Sequence, residues 1–211
     1  MEAPRRIGSL ISSATEILHL VGLGDRLVGV SHECDYPPSV DGLPRLTRCL
    51  VDASATSLAI DEQVRSLSAE QSALYEIDAQ RLAELRPELI LTQSQCDVCA
   101  VRYEDVVHAV ERSPELAGAQ VLALHPRSIA DVLADIQQIG AAAGASKAAN
   151  EAVDGLQRRI DRVKRQVAAS ARPAPRVACL EWLDPPMLAA NWMPELIAWA
   201  GGNPGHVRAG Q

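Results

Sequence analysis

A short apolar run that spills into a polar loop occurs three times in this chain, and that recurrence limits the fold more than any other feature. Leu89, Ile90 and Leu91, set off by Pro87, lead into Gln93, Gln95 and a Cys96-x-x-Cys99 pair. The run Leu27–Val30 enters Ser31-His32-Glu33-Cys34-Asp35-Tyr36, and Val121-Leu122-Ala123-Leu124 enters His125-Pro126. Strands of a parallel sheet are buried on both faces and read as continuous apolar runs. Ligands of open α/β sheets sit beyond the carboxyl ends of such strands. Three loops of this kind point to one shared site.

The segments between these runs read as helices, which makes the pattern a βαβ alternation with right-handed crossovers. A first strand is expected over 6–11. Ser13-Ala14-Thr15-Glu16 has the form of a capping box opening a helix that Gly22 and Gly24 close. Residues 31–60 hold Pro37, Pro38 and Pro44 without clear periodicity and read as loop. Helices are expected over 61–74 and from Asp78 to Pro87, followed by a strand over 88–92. Val106, Val107 and Val110 give 103–112 an amphipathic face, 119–124 reads as a strand, and Ser128-Ile129-Ala130-Asp131 resembles a second capping box.

One long helix follows, Ser146–Ala169. Ala149, Val153, Leu156, Ile160, Val163 and Val167 step by alternating fours and threes, a single apolar stripe. Arg158, Arg159, Asp161, Arg162, Lys164 and Arg165 occupy the other face and read as solvated surface. At ~1.5 Å per residue the helix is about 35 Å long, the width of a small domain. After Ala171-Arg172-Pro173-Ala174-Pro175 a strand over 176–180, a loop at Glu181-Trp182-Leu183-Asp184-Pro185-Pro186 and a helix from Pro194 to Gly201-Gly202 are expected. One strand and one helix cannot close a sheet-based core. The second lobe is therefore expected to be incomplete, truncated or completed by another chain as a dimer.

Composition removes several function classes. A net charge of −7 lacks the basic footprint of a general nucleic-acid binder. No run approaches the ~20 apolar residues of a membrane span, and MEAPRRIGSL shows no apolar signal-peptide core, so the chain is expected either to stay inside the cell or to have lost a leader. Five cysteines, an odd number, favour a reducing compartment. No Ser–His–Asp order, nucleophile elbow, phosphate loop or HExxH is present, so an enzyme is not expected.

The stretches RIGSLISSATEILHLVGLGDRLVGVSHECDYP, LYEIDAQRLAELRPELILTQSQCDVCAV and LEWLDPPMLAANWMPELIAWAGG together resemble the periplasmic-binding-protein family for cobalamin and iron–siderophore complexes, the substrate-binding partners of ABC importers. They look most like its cobalamin-binding branch. The resemblance implies an α/β fold of the two-lobed class III type, with parallel sheets and a long interlobe helix. Here it would comprise an N-terminal lobe (1–145), the connecting helix (146–170) and the start of an incomplete C-terminal lobe (176–211). It also implies a periplasmic location, a corrinoid (cobalamin) held between the lobes with no covalent cofactor, and docking on an ABC transporter permease. Docking would use an acidic position near Gln80, with Glu84 and Glu76 close by. A ferric siderophore as ligand and a cytoplasmic corrinoid carrier or sensor remain alternatives.

A corrin ring is a flat, partly apolar disc with amide arms. Aromatic faces bury such a ring, and Ser, Asn and Gln bond its amides. Tyr36, Trp182 and Trp192, in strand-end or Pro-rich loops, are the candidate ring contacts, whereas Trp199 reads as core. Ser12 and Ser13, at a helix N-terminus after the first strand, can meet a polar group or simply cap the helix. Gln95 and Cys34 join them as candidate lining. Asn191 stands where the resembled branch often carries a histidine, which leaves His32 and then His125 as imidazoles near the cleft. Cys96 and Cys99 admit three readings: a redox pair of a thiol–disulfide oxidoreductase, a soft-metal site with Cys34 and His32, or small packing and ligand-lining groups.

Overall fold

The computed structural model describes residues 2–70, 73–96, 98–170 and 172–205. In chain order the elements are β1 (Ile7–Ser9), α1 (Ser12–Leu20), β2 (Leu27–Val30), β3 (Thr47–Cys49), α2 (Ser57–Ala69), β4 (Tyr75–Ile77), α3 (Ala79–Leu85) and β5 (Leu89–Gln93). Then come α4 (Tyr103–Glu111), β6 (Gln120–Leu124), α5 (Ile129–Ala142), α6 (Ser146–Ala169), β7 (Leu180–Leu183), β8 (Pro186–Leu188) and α7 (Met193–Trp199).

β1, β2, β5 and β6 form a wholly parallel sheet in the order β2-β1-β5-β6. Alternation along a strand decides which layer each side chain joins. Leu89 and Leu91 of β5 enter a core with Ile7, Leu18, Ile136, Ile139 and Ala149, under α1, α5 and α6. Ile90, between them, enters the opposite core with Leu82, Val106 and Leu116, under α3 and α4. Helices thus cover both faces, the condition for an all-parallel sheet. Each of these buried Leu and Ile side chains contributes roughly 1.5–3 kcal/mol.

The second capping box is present: Ser128 Oγ accepts from Asp131 N–H, and Asp131 Oδ2 accepts from Ser128 N–H. Asp78 caps α3 through Arg81 N–H. The first capping box is not formed. Ile11 occupies the N-cap position of α1 with no side-chain bond, because Ser12 and Ser13 already lie in the first turn and Ser12 Oγ donates to Glu33 O at 3.0 Å.

Residues 31–60 are not one loop. After a bridge from Arg45 to Val30, β3 pairs antiparallel with β4 across 28 residues of sequence, Thr47 opposite Ile77 and Cys49 opposite Tyr75. Three-residue strands carry too few positions to show a period. The following helix starts earlier than expected, at Ser57, because Thr56 caps it by accepting from Ala59 N–H.

α6 has the expected bounds. Its stripe is buried at Ala149 and opens progressively, with Val163 42% exposed. Near its end Lys164 Nζ sits 3.7 Å from the Trp199 ring centroid, and Trp199 is half-buried under it rather than core. The strand expected over 176–180 reduces to one bridge, Arg176 to Asn203; the loop expected after it is the hairpin β7–β8. No helix among the described residues is long and apolar enough to cross a membrane.

Candidate functional site

The chain goes from β1 outward to β2 on one side and from β5 outward to β6 on the other. The direction of winding therefore reverses between β1 and β5, the point beyond whose strand ends open α/β sheets bind their ligands. The β1–α1 turn with Ser12 and Ser13 and the β5–α4 loop with Gln95 and Cys96 follow those two strands.

The β5–α4 loop is held from beneath. Gln93, 3% exposed, accepts the N–H groups of Gln95 (2.6 Å) and Cys96 (2.8 Å) at Oε1 and donates from Nε2 to Cys96 O at 2.7 Å. A disulfide joins Cys96 to Cys99, so the pair is oxidised, against the reducing compartment expected from the odd cysteine count. Cys34, Cys49 and Cys179 are the free thiols. Among the described residues no three His, Cys, Asp or Glu side chains gather as a metal site.

The β2 loop carries His32. Its Nδ1 lies 2.7 Å from Thr47 Oγ1, and its ring packs 5.6 Å from that of Tyr75. Nε2 lies 3.0 Å from Glu33 Oε1, out of line for a hydrogen bond, and is closed off from solvent. An imidazole so enclosed offers no open nitrogen to a metal. Tyr75 donates from its hydroxyl to Val98 O at 3.4 Å. Burial, with Cys49 and Glu33 adding to it, raises the Tyr75 pKa, which keeps the hydroxyl a donor.

These contacts link Ser12, Glu33, His32, Tyr75 and the disulfide loop into one network. Cys34 stands apart from it as a correction: at 1% exposure, with Sγ 3.2 Å from Thr15 Oγ1, it belongs to the core beneath α1 and does not line the crevice. Tyr36, 60% exposed, and the half-buried Asn191 and Trp192 make no hydrogen bond or ring contact with the network among the described residues. Asn191 adopts a left-handed backbone, φ 51°, immediately before α7. Ser13 is exposed on the first turn of α1.

Among the described residues, two hydrogen bonds cross from the C-terminal segment to the sheet-bearing part. Trp182 Nε1 donates to Ser57 O at 3.2 Å as well as to Asp184 O at 3.1 Å. Glu195 Oε2 accepts from Ile129 N–H at 2.9 Å, supplementing the cap of α5. Trp182 therefore touches the N-terminal part at Ser57, the first residue of α2.

Gln93, Thr47 and Tyr75 were not among the candidate site residues. Tyr75 had a usable signal, since aromatics are 3% of the chain and Phe is absent.

A parallel sheet with loops converging at a reversal point, followed by one long helix, is the class III periplasmic-binding-protein fold. Residues 7–205 match the model of the family described as periplasmic binding protein, and the chain belongs to that family. It is 26% identical over 155 residues to the uncharacterized ABC transporter substrate-binding lipoprotein YvrC of Bacillus subtilis (strain 168), a match covering 73% of this chain and 39% of the relative. Among solved structures it resembles a periplasmic heme-binding protein from Pseudomonas aeruginosa (18% identity, TM-score 0.68, 98% of this chain and 64% of that one). It also resembles the periplasmic vitamin B12 binding protein BtuF of Vibrio cholerae (21% identity, TM-score 0.64, 99% and 70%).

Proposed function

We propose that this chain captures a corrinoid for an ABC importer, in the crevice between the sheet-bearing lobe of residues 1–145 and the segment 176–211, with 146–170 as the stiff connection between them. The observation that carries the reading is the reversal point between β1 and β5, whose following loops carry Ser12, Ser13 and Gln95; Trp182 would face it from the second segment. Neutral hydroxyls and amides suit the amide arms of a corrin, and Trp182, Trp192 and Tyr36 suit its faces.

Heme and ferric siderophores are the competing guests, and the β2 loop disfavours both. Glu33 and Asp35 are exposed there, and carboxylates repel the anionic groups by which heme and many ferric siderophores are held. The long α6 permits little hinge bending, so a small lobe motion accompanies binding. The Cys96–Cys99 disulfide supports an oxidising location outside the cytoplasm, where a transporter permease would be the partner.

The test is a titration of the chain with cyanocobalamin, hemin and a ferric siderophore, following tryptophan fluorescence and ligand absorbance. Saturable quenching by cyanocobalamin at the lowest concentration is expected. Tighter saturation by hemin or the siderophore would reassign the guest, and no saturation by any of the three would remove the binding role.

A further inference from the structure

α5, α6 and α7 border a groove of about 520 Å³, within the ~300–1,000 Å³ range of small-molecule sites. Leu133 of α5, Leu156, Ile160 and Val163 of α6, and Leu196 and Trp199 of α7 give it apolar walls. The three α6 members step by four and three and so stand on one face of that helix. Val163 and Leu196 are 42% and 38% exposed, so this apolar surface is open to solvent. α7 is tied to both other helices. Glu195 Oε2 accepts from Ile129 N–H of α5 at 2.9 Å, and Lys164 Nζ of α6 sits over the Trp199 ring.

The charged side chains lining the groove are Arg159 and Arg162, three residues apart on α6, and no Asp or Glu lines it among the described residues. Both guanidiniums are exposed, and neither forms an ion pair or hydrogen bond among the described residues. The acids next to lining residues in the sequence are engaged elsewhere. Asp131 accepts from the Arg127 and Ser128 N–H groups, Asp161 from Gln157 Nε2 at 2.9 Å, and Glu195 from Ile129 N–H. Asp135, also on α5, is buried. A chain of net charge −7 thus carries one apolar groove whose charged border is wholly cationic. Guanidinium donors match the oxygens of a carboxylate.

We propose that this groove binds an aliphatic chain ending in a single carboxylate. The chain lies against Leu156, Ile160, Leu196 and Trp199, and the carboxylate meets Arg159 and Arg162. From Leu156 to Val163 the helix advances roughly 10 Å, which suits an acyl chain of medium length. None of the groove's residues belongs to the crevice proposed for the corrinoid, so the two readings stand or fall separately.

The experiment is a calorimetric titration of the chain with decanoate and with decanol, which has the same chain length and no charge. The wild type is expected to bind one decanoate saturably, about tenfold or more tightly than decanol, from charge-assisted hydrogen bonds. Arg159→Gln with Arg162→Gln is expected to bring decanoate down to the affinity of decanol and leave decanol unchanged, which also shows the groove intact. Arg158→Gln with Arg165→Gln removes the same charge from the same helix outside the groove and is expected to change neither. Leu196→Glu, at an exposed position on the border, is expected to abolish binding of both. Equal loss of decanoate in the two double variants would mean general attraction to a basic helix and overturns the assignment. So does decanol binding as tightly as decanoate, uptake of several decanoates per chain, or no saturation at all.

Discussion

The Gln93 carboxamide clasps Cys96 from both sides, accepting its N–H at 2.8 Å and donating to its carbonyl at 2.7 Å. It does so from a position 3% exposed at the end of β5. A strand end thereby dictates the path of the loop that follows β5. Gln93→Met keeps the volume and removes all three bonds, leaving Gln95 N–H, Cys96 N–H and Cys96 O to find water. The expected loss is about 2 kcal/mol of unfolding free energy, given ~1–3 kcal/mol for stranding one buried group and partial rescue by solvent. Urea denaturation measures it, and a loss below about 0.5 kcal/mol would show that the loop holds itself.

Trp182 bridges the two parts of the molecule through Ser57 O. Trp182→Ala removes both the ring and this bond, and ligand affinity is expected to fall by ~1–3 kcal/mol if the ring stacks on the guest. Trp182→Phe keeps an aromatic face without the donor and should recover most of that loss. Calorimetric titration of both variants separates the face from the hydrogen bond. Unchanged affinity in Trp182→Ala would take the ring out of the site.

Gly140 on α5 and Ala149 on α6 set how closely those helices cross. A Cβ added at Gly140 would lie 2.3 Å from Ala149 Cβ and 3.3 Å from Ala145 O, so the helices must part to admit it. Gly140→Ala gains ~1 kcal/mol of helix propensity, while overpacking costs ~1–3 kcal/mol or more. A net loss near 2 kcal/mol is expected. Ala149→Gly in the same chain should restore much of it, because the two sites are in contact and their effects do not add. Thermal and urea unfolding of the three variants form the cycle.

The elements that could be read from sequence are those with enough residues to show a period or a cap. α6 repeats its stripe over 24 residues and β5 is an unbroken apolar run, so both are legible, as is the Ser128–Asp131 box, whose spacing is itself the geometry. β3 and β4 are three residues each and pair across 28 positions, and nothing local marks that pairing. The loops beyond the sheet were legible as strand ends followed by polar residues. What holds those loops from beneath was not: Gln93 and Thr47 act by being buried, and burial of a polar residue leaves no trace in composition. Cys34 shows the converse, a polar-loop residue whose soft side chain packs inward against Thr15.

Asp135 lies on α5 at 5% exposure, with no cation paired to it among the described residues. Burial, and next the negative charge of Asp131 one turn earlier, push its pKa up to about 6 from an ordinary 3.8, with His125 pulling weakly the other way. Asp131 itself is held below the usual range by its bonds from Ser128 and Arg127 N–H, so it stays charged throughout. A carboxyl whose folded-state pKa is raised holds its proton more tightly folded than unfolded. The folded state therefore binds more protons between about pH 4 and 6, and stability falls as pH rises through that window. Above it the ionised, buried carboxylate costs about 2 kcal/mol, a figure kept below the full linkage value because the side chain can relax toward water. Asp135→Asn removes the charge at every pH. It should therefore stabilise the protein by about 2 kcal/mol at pH 7.5 and by close to nothing at pH 4. Urea unfolding of wild type and variant at the two pH values is the measurement. A gap between them that does not shrink on acidification would mean Asp135 is already solvated when ionised.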